Sequence, residues 1–129
     1  MSTGENLFSI QDVRNLIRYA AMRPDRDLIQ VDPVLAGGLV EYLRIVELLA
    51  TNGWSARALQ PHGGHLFALH VADGLGLAGS EAYPGVFQPF GGFGDDMSVE
   101  DGCVALGEKP GIGFEAKSPL HAVLRALVE

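Results

Sequence analysis

Short apolar segments alternate with amphipathic segments of helical spacing along the first 81 residues, and this alternation restricts the fold more than any other feature. Ser9 is a typical helix N-cap, and the apolar residues after it predict a helix that ends near Met22. Leu28 to Val31 then predicts a short strand, which ends before Asp32 and Pro33.

The same unit continues along the chain. Leu39 to Leu49 predicts a strongly amphipathic helix that stops at Asn52-Gly53. Ala58 to Gln60 predicts another short strand, Leu66 to Leu75 a third helix, and a further strand is expected around Gly79 to Glu81. Strands that alternate with helices are typical of a parallel sheet, because parallel neighbours need a long crossover connection.

The pattern changes after Tyr83, where glycine and proline become frequent. The dipeptide Asp101-Gly102 predicts a two-residue β-hairpin turn. The strand residues expected on either side are Met97, Val99, Val104 and Leu106. A terminal helix is expected to begin with Ser118 as its N-cap and Pro119 in its first turn. Its buried stripe would consist of Leu120, Val123, Leu124, Leu127 and Val128.

Composition narrows the class of protein. The chain has 129 residues, enough for one compact domain, and its 47% hydrophobic content is that of a globular protein. A net charge of -7 without a basic stripe argues against a nucleic-acid partner. Cys103 is the only cysteine, which excludes an internal disulfide and a cysteine-based zinc cluster. With neither a membrane-spanning run nor a signal-peptide pattern, we expect a soluble cytoplasmic protein with no membrane partner.

Polar residues follow the predicted strands, at the edge where parallel sheets carry functional groups. Glu5 would suit Mg²⁺, an oxygen-binding cation, and His62 oriented by Asp32 would give or take a proton. A partly buried Glu81 would donate a hydrogen bond to a substrate oxygen. From the residues alone, ordinary roles are favoured for three of them: a surface or capping position for Glu5, a turn for Asp32 and a loop for His62. For Glu81 a capping or surface position fits equally well.

His62 and His65 also have a spacing found in zinc sites, but no third ligand is near them in the sequence. His65, His70 and His121 fall in predicted helices and are expected to be structural. Gly91-Gly92 and Gly111-Ile112-Gly113 lack the lysine and the context of a phosphate-binding loop, so they predict turns.

Five strings occur in a fixed order: Gly4-Glu5-Asn6, Asp32 to Gly38, Pro61-His62-Gly63-Gly64-His65, Glu81-Ala82-Tyr83-Pro84, and Pro110 to Glu115. Together they resemble the carboxyl-terminal part of the enolase superfamily, in its mandelate racemase-like branch. Within that branch, the strings Gly4 to Ser9, Arg23 to Asp27 and Phe87 to Phe93 look most like D-tartrate dehydratases. The resemblance covers nearly the whole chain.

This resemblance implies an α/β fold. Residues 1–81 would form a partial (β/α) TIM-type barrel, from the end of the fifth strand through the eighth. Residues 82–129, with the β-hairpin and the terminal helix, would form the carboxyl-terminal segment that returns to the capping domain.

The resemblance also implies roles for four residues. Glu5 corresponds to the third Mg²⁺-binding carboxylate, Asp32 and His62 to the Asp–His catalytic dyad, and Glu81 to the acid that contacts the substrate carboxylate. The family reaction removes a proton alpha to a carboxylate, and Mg²⁺ stabilises the enediolate. In the dehydratases a lysine from the second strand acts as the base, a histidine then acts as the acid for the leaving hydroxide, and D-tartrate would become oxaloacetate.

The chain has no counterpart of the lysine base or of two further metal carboxylates. We therefore expect a fragment of a Mg²⁺-dependent sugar-acid dehydratase that is inactive in isolation. A racemase or another acid-sugar dehydratase is the nearest alternative. A different alternative is a non-catalytic half-barrel that pairs through its open sheet edges with itself or with a complementary barrel fragment, because open edges are normally covered.

Overall fold

The computed structural model describes all residues, 1–129, and its parallel sheet runs through the first 82 of them. Strand β1 (Ser2–Thr3) pairs in parallel with β2 (Leu28–Ile29). Leu59 forms a parallel bridge to Ile29, and the Ala78 N–H donates to the Leu59 carbonyl at 2.9 Å. We call residues 59–61 and 78–82 the third and fourth segments. The regular sheet contains only β1 and β2, and the third and fourth segments follow it in chain order through one bridge and two hydrogen bonds, without forming a barrel.

All four predicted helices are confirmed: α1 (Ile10–Tyr19), α2 (Leu39–Thr51), α3 (Leu66–Gly74) and α4 (Ser118–Ala126). None of them is both long and apolar enough to cross a lipid bilayer. Helix α1 ends before Met22 because Ala21 has a φ of 52°, a left-handed conformation that stops the helix.

The third and fourth segments are less regular than the sequence predicted. Ala56–Ala58 forms a short 3₁₀ helix, so the expected strand at 58–60 is reduced to a single bridge at Leu59. The segment around Gly79 makes two hydrogen bonds to its neighbour, from Ala78 and from Glu81 to Pro61. Pro61 has no N–H to donate in return, which interrupts a regular ladder between these segments.

The hairpin prediction is half right. Asp101 and Gly102 have φ of 49° and 75°, as a tight hairpin turn requires, and Glu100 and Cys103 exchange two hydrogen bonds of 2.8 Å. The expected strands on either side are absent, since the pairing stops at this one bridge. An isolated two-stranded ribbon is marginally stable without a third strand or a packed face.

Helix α4 differs from its prediction in its cap and in its burial. Lys117 occupies the N-cap position, and the Ser118 N–H and hydroxyl instead donate to Asp95 Oδ2 at 3.0 and 2.6 Å. Of the predicted stripe only Leu120 is buried, whereas Leu127 is 76% exposed. Val123, Leu124 and Val128 are exposed as well.

The main core lies between α1, α2 and the sheet. Val13 of α1 and Tyr42, Ile45 and Leu49 of α2 are fully buried against Ile29 of β2. The whole cluster falls between residues 13 and 77, so its apolar burial holds the sheet and the loops at its carboxyl edge.

A substitution of Ser9 tests whether its N-cap hydrogen bond stabilises α1. Its hydroxyl accepts from the Asp12 N–H at 3.2 Å and donates to the Asp12 carboxylate at 2.8 Å. Ser9→Ala should lower the free energy of unfolding by about 1 kcal/mol, measured by urea denaturation. Ser55→Ala is the matched control, because Ser55 precedes a short helix without a capping bond. Equal losses in the two variants would contradict the capping role.

Candidate active site

The carboxyl ends of the four parallel segments carry the four residues singled out in the sequence. The structure brings three of them together. His62 Nδ1 lies 4.0 Å from Asp32 Oδ2, and His62 Nε2 lies 3.8 Å from Glu81 Oε2. The imidazole ring therefore stands between two carboxylates, one from each neighbouring segment.

Glu5 follows β1 and stands apart from this group. Its Oε2 accepts a hydrogen bond from the Gly4 N–H at 2.9 Å, and it makes no hydrogen bond or ion pair with the other three residues. The side chain is half-buried, so one carboxylate oxygen is left to face a ligand.

Asp32 is buried, with 4% of its surface exposed, and its Oδ1 accepts several hydrogen bonds. The donors are the N–H groups of Val34 at 2.7 Å and Leu35 at 3.2 Å and the ring of His65. Burial by itself raises the pKa of the Asp32 carboxyl, but the hydrogen bond from His65 and the two backbone bonds outweigh burial. The net effect lowers the pKa, so Asp32 stays ionised.

His65 links Asp32 to helix α3. Its Nδ1 accepts from the Ala68 N–H at 3.0 Å, which makes His65 the N-cap of α3. Because Nδ1 is an acceptor, the proton of the neutral ring sits on Nε2, which donates to Asp32 Oδ1 at 3.2 Å. The structural role expected for His65 is confirmed, and the contact with Asp32 adds to it.

Glu81 is held by three donors. Gln30 Nε2 donates to Oε1 at 2.8 Å, while the Gly63 N–H and the Tyr83 hydroxyl donate to Oε2 at 3.2 and 2.5 Å. Both oxygens act as acceptors in this arrangement. Donation from Glu81 to a substrate oxygen, as expected from the sequence, would require a proton on Glu81 and the release of one of these bonds.

Tyr83 fixes the other side of the site. Burial, followed by its hydrogen bond to Glu81 and the negative charges of Glu81, Asp32 and Glu5, raises the pKa of Tyr83 to about 12. The hydroxyl therefore remains a donor at neutral pH. The Tyr83 ring also meets His62 edge-on, with centroids 5.9 Å apart and planes at 73°.

Two glycines permit this crowding. Gly63 has a φ of +98°, and a Cβ there would lie 2.5 Å from Asp32 Oδ2. Gly64 has a φ of +52°, and its Cβ would lie 2.8 Å from the Tyr83 backbone nitrogen. A side chain at either position would push Asp32 or Tyr83 away from His62.

A cavity of about 600 Å³ opens beside the Asp32–His62 pair. The rings of His62 and His65 and the Asp32 carboxylate form its polar side. The rest of the wall is apolar. Val34, Leu35 and Phe67 form part of it, and residues 87–124 contribute Phe87, Phe90, Phe114, Leu120 and Leu124.

A comparison with known protein families identifies the family of this chain. A model of the enolase C-terminal domain-like family matches residues 1–119. The chain belongs to this family. The match includes all four segments and every candidate site residue of the enolase-like chain, and it confirms the superfamily assignment drawn from the sequence strings.

Members of the enolase superfamily generally use Mg²⁺. Mg²⁺ requires octahedral coordination, largely by oxygen. In the enolase-like chain no three His, Cys, Asp or Glu side chains are grouped as ligands, and Glu5 has no second carboxylate in contact. These residues by themselves therefore do not form a Mg²⁺ site. The zinc alternative at His62 and His65 also lacks a third ligand.

The lysines of the enolase-like chain lie outside the site. Lys109 is exposed, and the buried Lys117 donates from Nζ to Gln88 Oε1 at 3.3 Å. Neither contacts His62 or Asp32, so the chain provides no lysine base at the dyad.

Sequence reasoning missed two contacts of the site and part of a third. Gln30 and Tyr83, which hold Glu81, received no role, and His65 was assigned only a structural one. A signal existed for two of them. Gln30 interrupts the apolar run from Leu28 to Val31, and Tyr83 lies within the string that ends the fourth segment.

Two substitutions separate the roles of His65. In His65→Asn the amide oxygen can still cap α3, but the side chain is too short to reach Asp32; His65→Ala removes both contacts. The pKa of Asp32, followed by the ¹³C signal of its carboxyl carbon, should rise in both variants. Stability should fall by about 1 kcal/mol more in His65→Ala. An unchanged Asp32 pKa in His65→Asn would contradict the role of the His65 bond.

Proposed function

We propose that the chain carries the general-acid part of the active site of a Mg²⁺-dependent acid-sugar dehydratase, a carbon–oxygen lyase of the D-tartrate to oxaloacetate type. One observation carries the proposal: His62 lies between Asp32 and Glu81 at the carboxyl ends of parallel segments, in a chain of the enolase C-terminal domain-like family.

The two ring nitrogens of His62 have different surroundings. Nδ1 is buried, has no hydrogen-bond partner and faces Asp32 Oδ2 at 4.0 Å. A movement of about 1 Å would bring this pair within hydrogen-bond reach. Asp32 would then orient the ring and stabilise its protonated form, which leaves Nε2 as the nitrogen that delivers a proton.

In the proposed reaction a base takes the proton alpha to the substrate carboxylate, and the electrons of that C–H bond form a carbon–carbon double bond. The C–O bond on the neighbouring carbon breaks, and His62 Nε2 transfers its proton to the departing hydroxide, which leaves as water. The enol that remains rearranges to a 2-oxo acid, which for D-tartrate is oxaloacetate.

Glu81 is the proposed contact to the substrate carboxylate. Two ionised carboxylates in contact repel each other, so one of them must carry a proton in the complex. The Gln30 amide and the Tyr83 hydroxyl are the neutral donors beside Glu81. We assign Glu5 as one of several carboxylate ligands of Mg²⁺. The other ligands and the base would come from outside these 129 residues.

A racemase acting on a 2-hydroxy acid with an aromatic group is the second candidate. The apolar wall of the cavity beside His62, which includes Phe67, Phe87, Phe90 and Phe114, favours it. Tartrate has no apolar group to place against such a wall, whereas an aromatic ring would bury apolar surface there.

D-Tartrate binding to the 129-residue chain tests the proposal. Titration should shift the His62 ring signals in NMR spectra, because the proposed site places the ligand against Nε2. His62→Gln should weaken binding at least tenfold, which corresponds to about 1.4 kcal/mol, measured by calorimetry. His121→Gln is the matched control, since His121 lies on α4 and does not line the cavity.

Mandelate titrated in parallel separates the two candidates. Tighter binding of tartrate supports the dehydratase, and tighter binding of mandelate supports the racemase. Equal tartrate affinity in the native chain and in His62→Gln would refute the acid role of His62.

A further inference from the structure

Lys117 is the only buried basic residue of the chain, with 4% of its surface exposed. It stands between the short 3₁₀ helix Phe114–Ala116 and α4, and it makes no ion pair. Asp95 takes its hydrogen bonds from Ser118 instead. A buried ammonium without a carboxylate is costly, and an apolar side chain would pack there at lower cost. The charge of Lys117 therefore needs a role other than packing.

The ammonium is directed to the loop of residues 87–92. Lys117 Nζ donates to Gln88 Oε1 at 3.3 Å, and Gln88 Nε2 donates to the Gly91 carbonyl at 3.1 Å. A Cβ at Gly92 would lie 3.6 Å from Gln88 Nε2 and 3.7 Å from Lys117 Nζ. Both side-chain ends therefore lie directly beside the Gly92 backbone and hold the loop from one side.

The same loop is bonded to the turn that carries His62. The Gly92 N–H donates to the Gly64 carbonyl at 2.8 Å, and Gly92 forms a parallel bridge with His65. The loop is therefore held from both sides, by Lys117 on one side and by the candidate site on the other.

We propose that Lys117 is a positioning residue for the ligand cavity beside His62. Its ammonium fixes the loop of residues 87–92 through Gln88. The fixed loop holds the turn of His62 in place and sets the position of the two phenylalanines that it contributes to the cavity wall. Lys117 does not line the cavity, so it acts only through these residues. The inference for the loop stands on the contacts alone, whereas its effect on ligand binding rests on the proposed function.

Amide hydrogen exchange at Gly92 tests the contact. In Lys117→Met the Gly92 N–H should exchange about tenfold faster than in the native chain, because the loop opens without its hydrogen bond to the ammonium. The Leu49 N–H, inside α2, should keep its native exchange rate. Lys109→Met is the matched control, since Lys109 is exposed. Equal Gly92 exchange in the native chain and in Lys117→Met would overturn the proposal.

A double variant separates positioning from stability. Gln88→Leu alone leaves the buried ammonium without an acceptor and should lower the free energy of unfolding, measured by urea denaturation. Gln88→Leu combined with Lys117→Met replaces both partners by apolar side chains and should recover most of that loss. Gly92 exchange should nevertheless stay fast, since the hydrogen bond that fixes the loop is still missing.

Recovery of slow Gly92 exchange together with stability in the double variant would indicate a purely structural role and reject the proposal. This comparison also decides the matter if Lys117→Met alone fails to fold.

D-Tartrate affinity, measured by calorimetry, tests the consequence for the site. Lys117→Met should bind about tenfold more weakly than the native chain, and Lys109→Met should bind as the native chain does. Faster Gly92 exchange with unchanged affinity would reject the positioning role. Absence of tartrate binding in the native chain would reject the proposed function, and the exchange of Gly92 would still decide whether Lys117 fixes the loop.

Discussion

The buried carboxylate of Asp32 is the contact on which the rest of the site depends. It ties together the turn after β2, the first turn of α3 through His65, and the ring of His62. A buried charge is costly unless its hydrogen bonds are complete, and here one backbone turn and one neutral imidazole supply them to Oδ1. Oδ2 is thereby left to face His62.

On the opposite side of His62, Glu81 is also held by hydrogen-bond donors. Glu81 is satisfied by an amide, a backbone N–H and a tyrosine hydroxyl, all of them neutral. The imidazole thus lies between two carboxylates that neutral donors already solvate, in a pocket whose remaining wall is apolar. In the unliganded chain His62 Nδ1 lies 4.0 Å from Asp32 and Nε2 lies 3.8 Å from Glu81, without a direct hydrogen bond to either carboxylate.

The order of the elements and the position of Asp32, His62 and Glu81 were predictable from the sequence, because periodicity and strand ends are local signals. The regularity of the third and fourth segments was not, since it depends on what pairs with them and on a proline at residue 61. The predicted burial of α4 was wrong for the same reason, because burial depends on which other parts of the protein cover the helix. The His65 contact with Asp32 could not be predicted either, because it needs a residue without a side chain at Gly63, where a Cβ would collide with both Asp32 and His65.

The four parallel segments lie across the sheet in the order in which they occur in the chain, and this has a consequence for synthesis. The ribosome makes the chain from its amino terminus, so each segment can pair with the preceding segment as soon as it is synthesised. Every sheet contact nevertheless spans a long stretch of sequence, such as Met1 to Leu28 or Ile29 to Gln60. Bringing the two ends of such a stretch together costs conformational entropy and is slow. The backbone of the most recently added segment therefore stays unpaired, and open to other chains, for the longest part of folding.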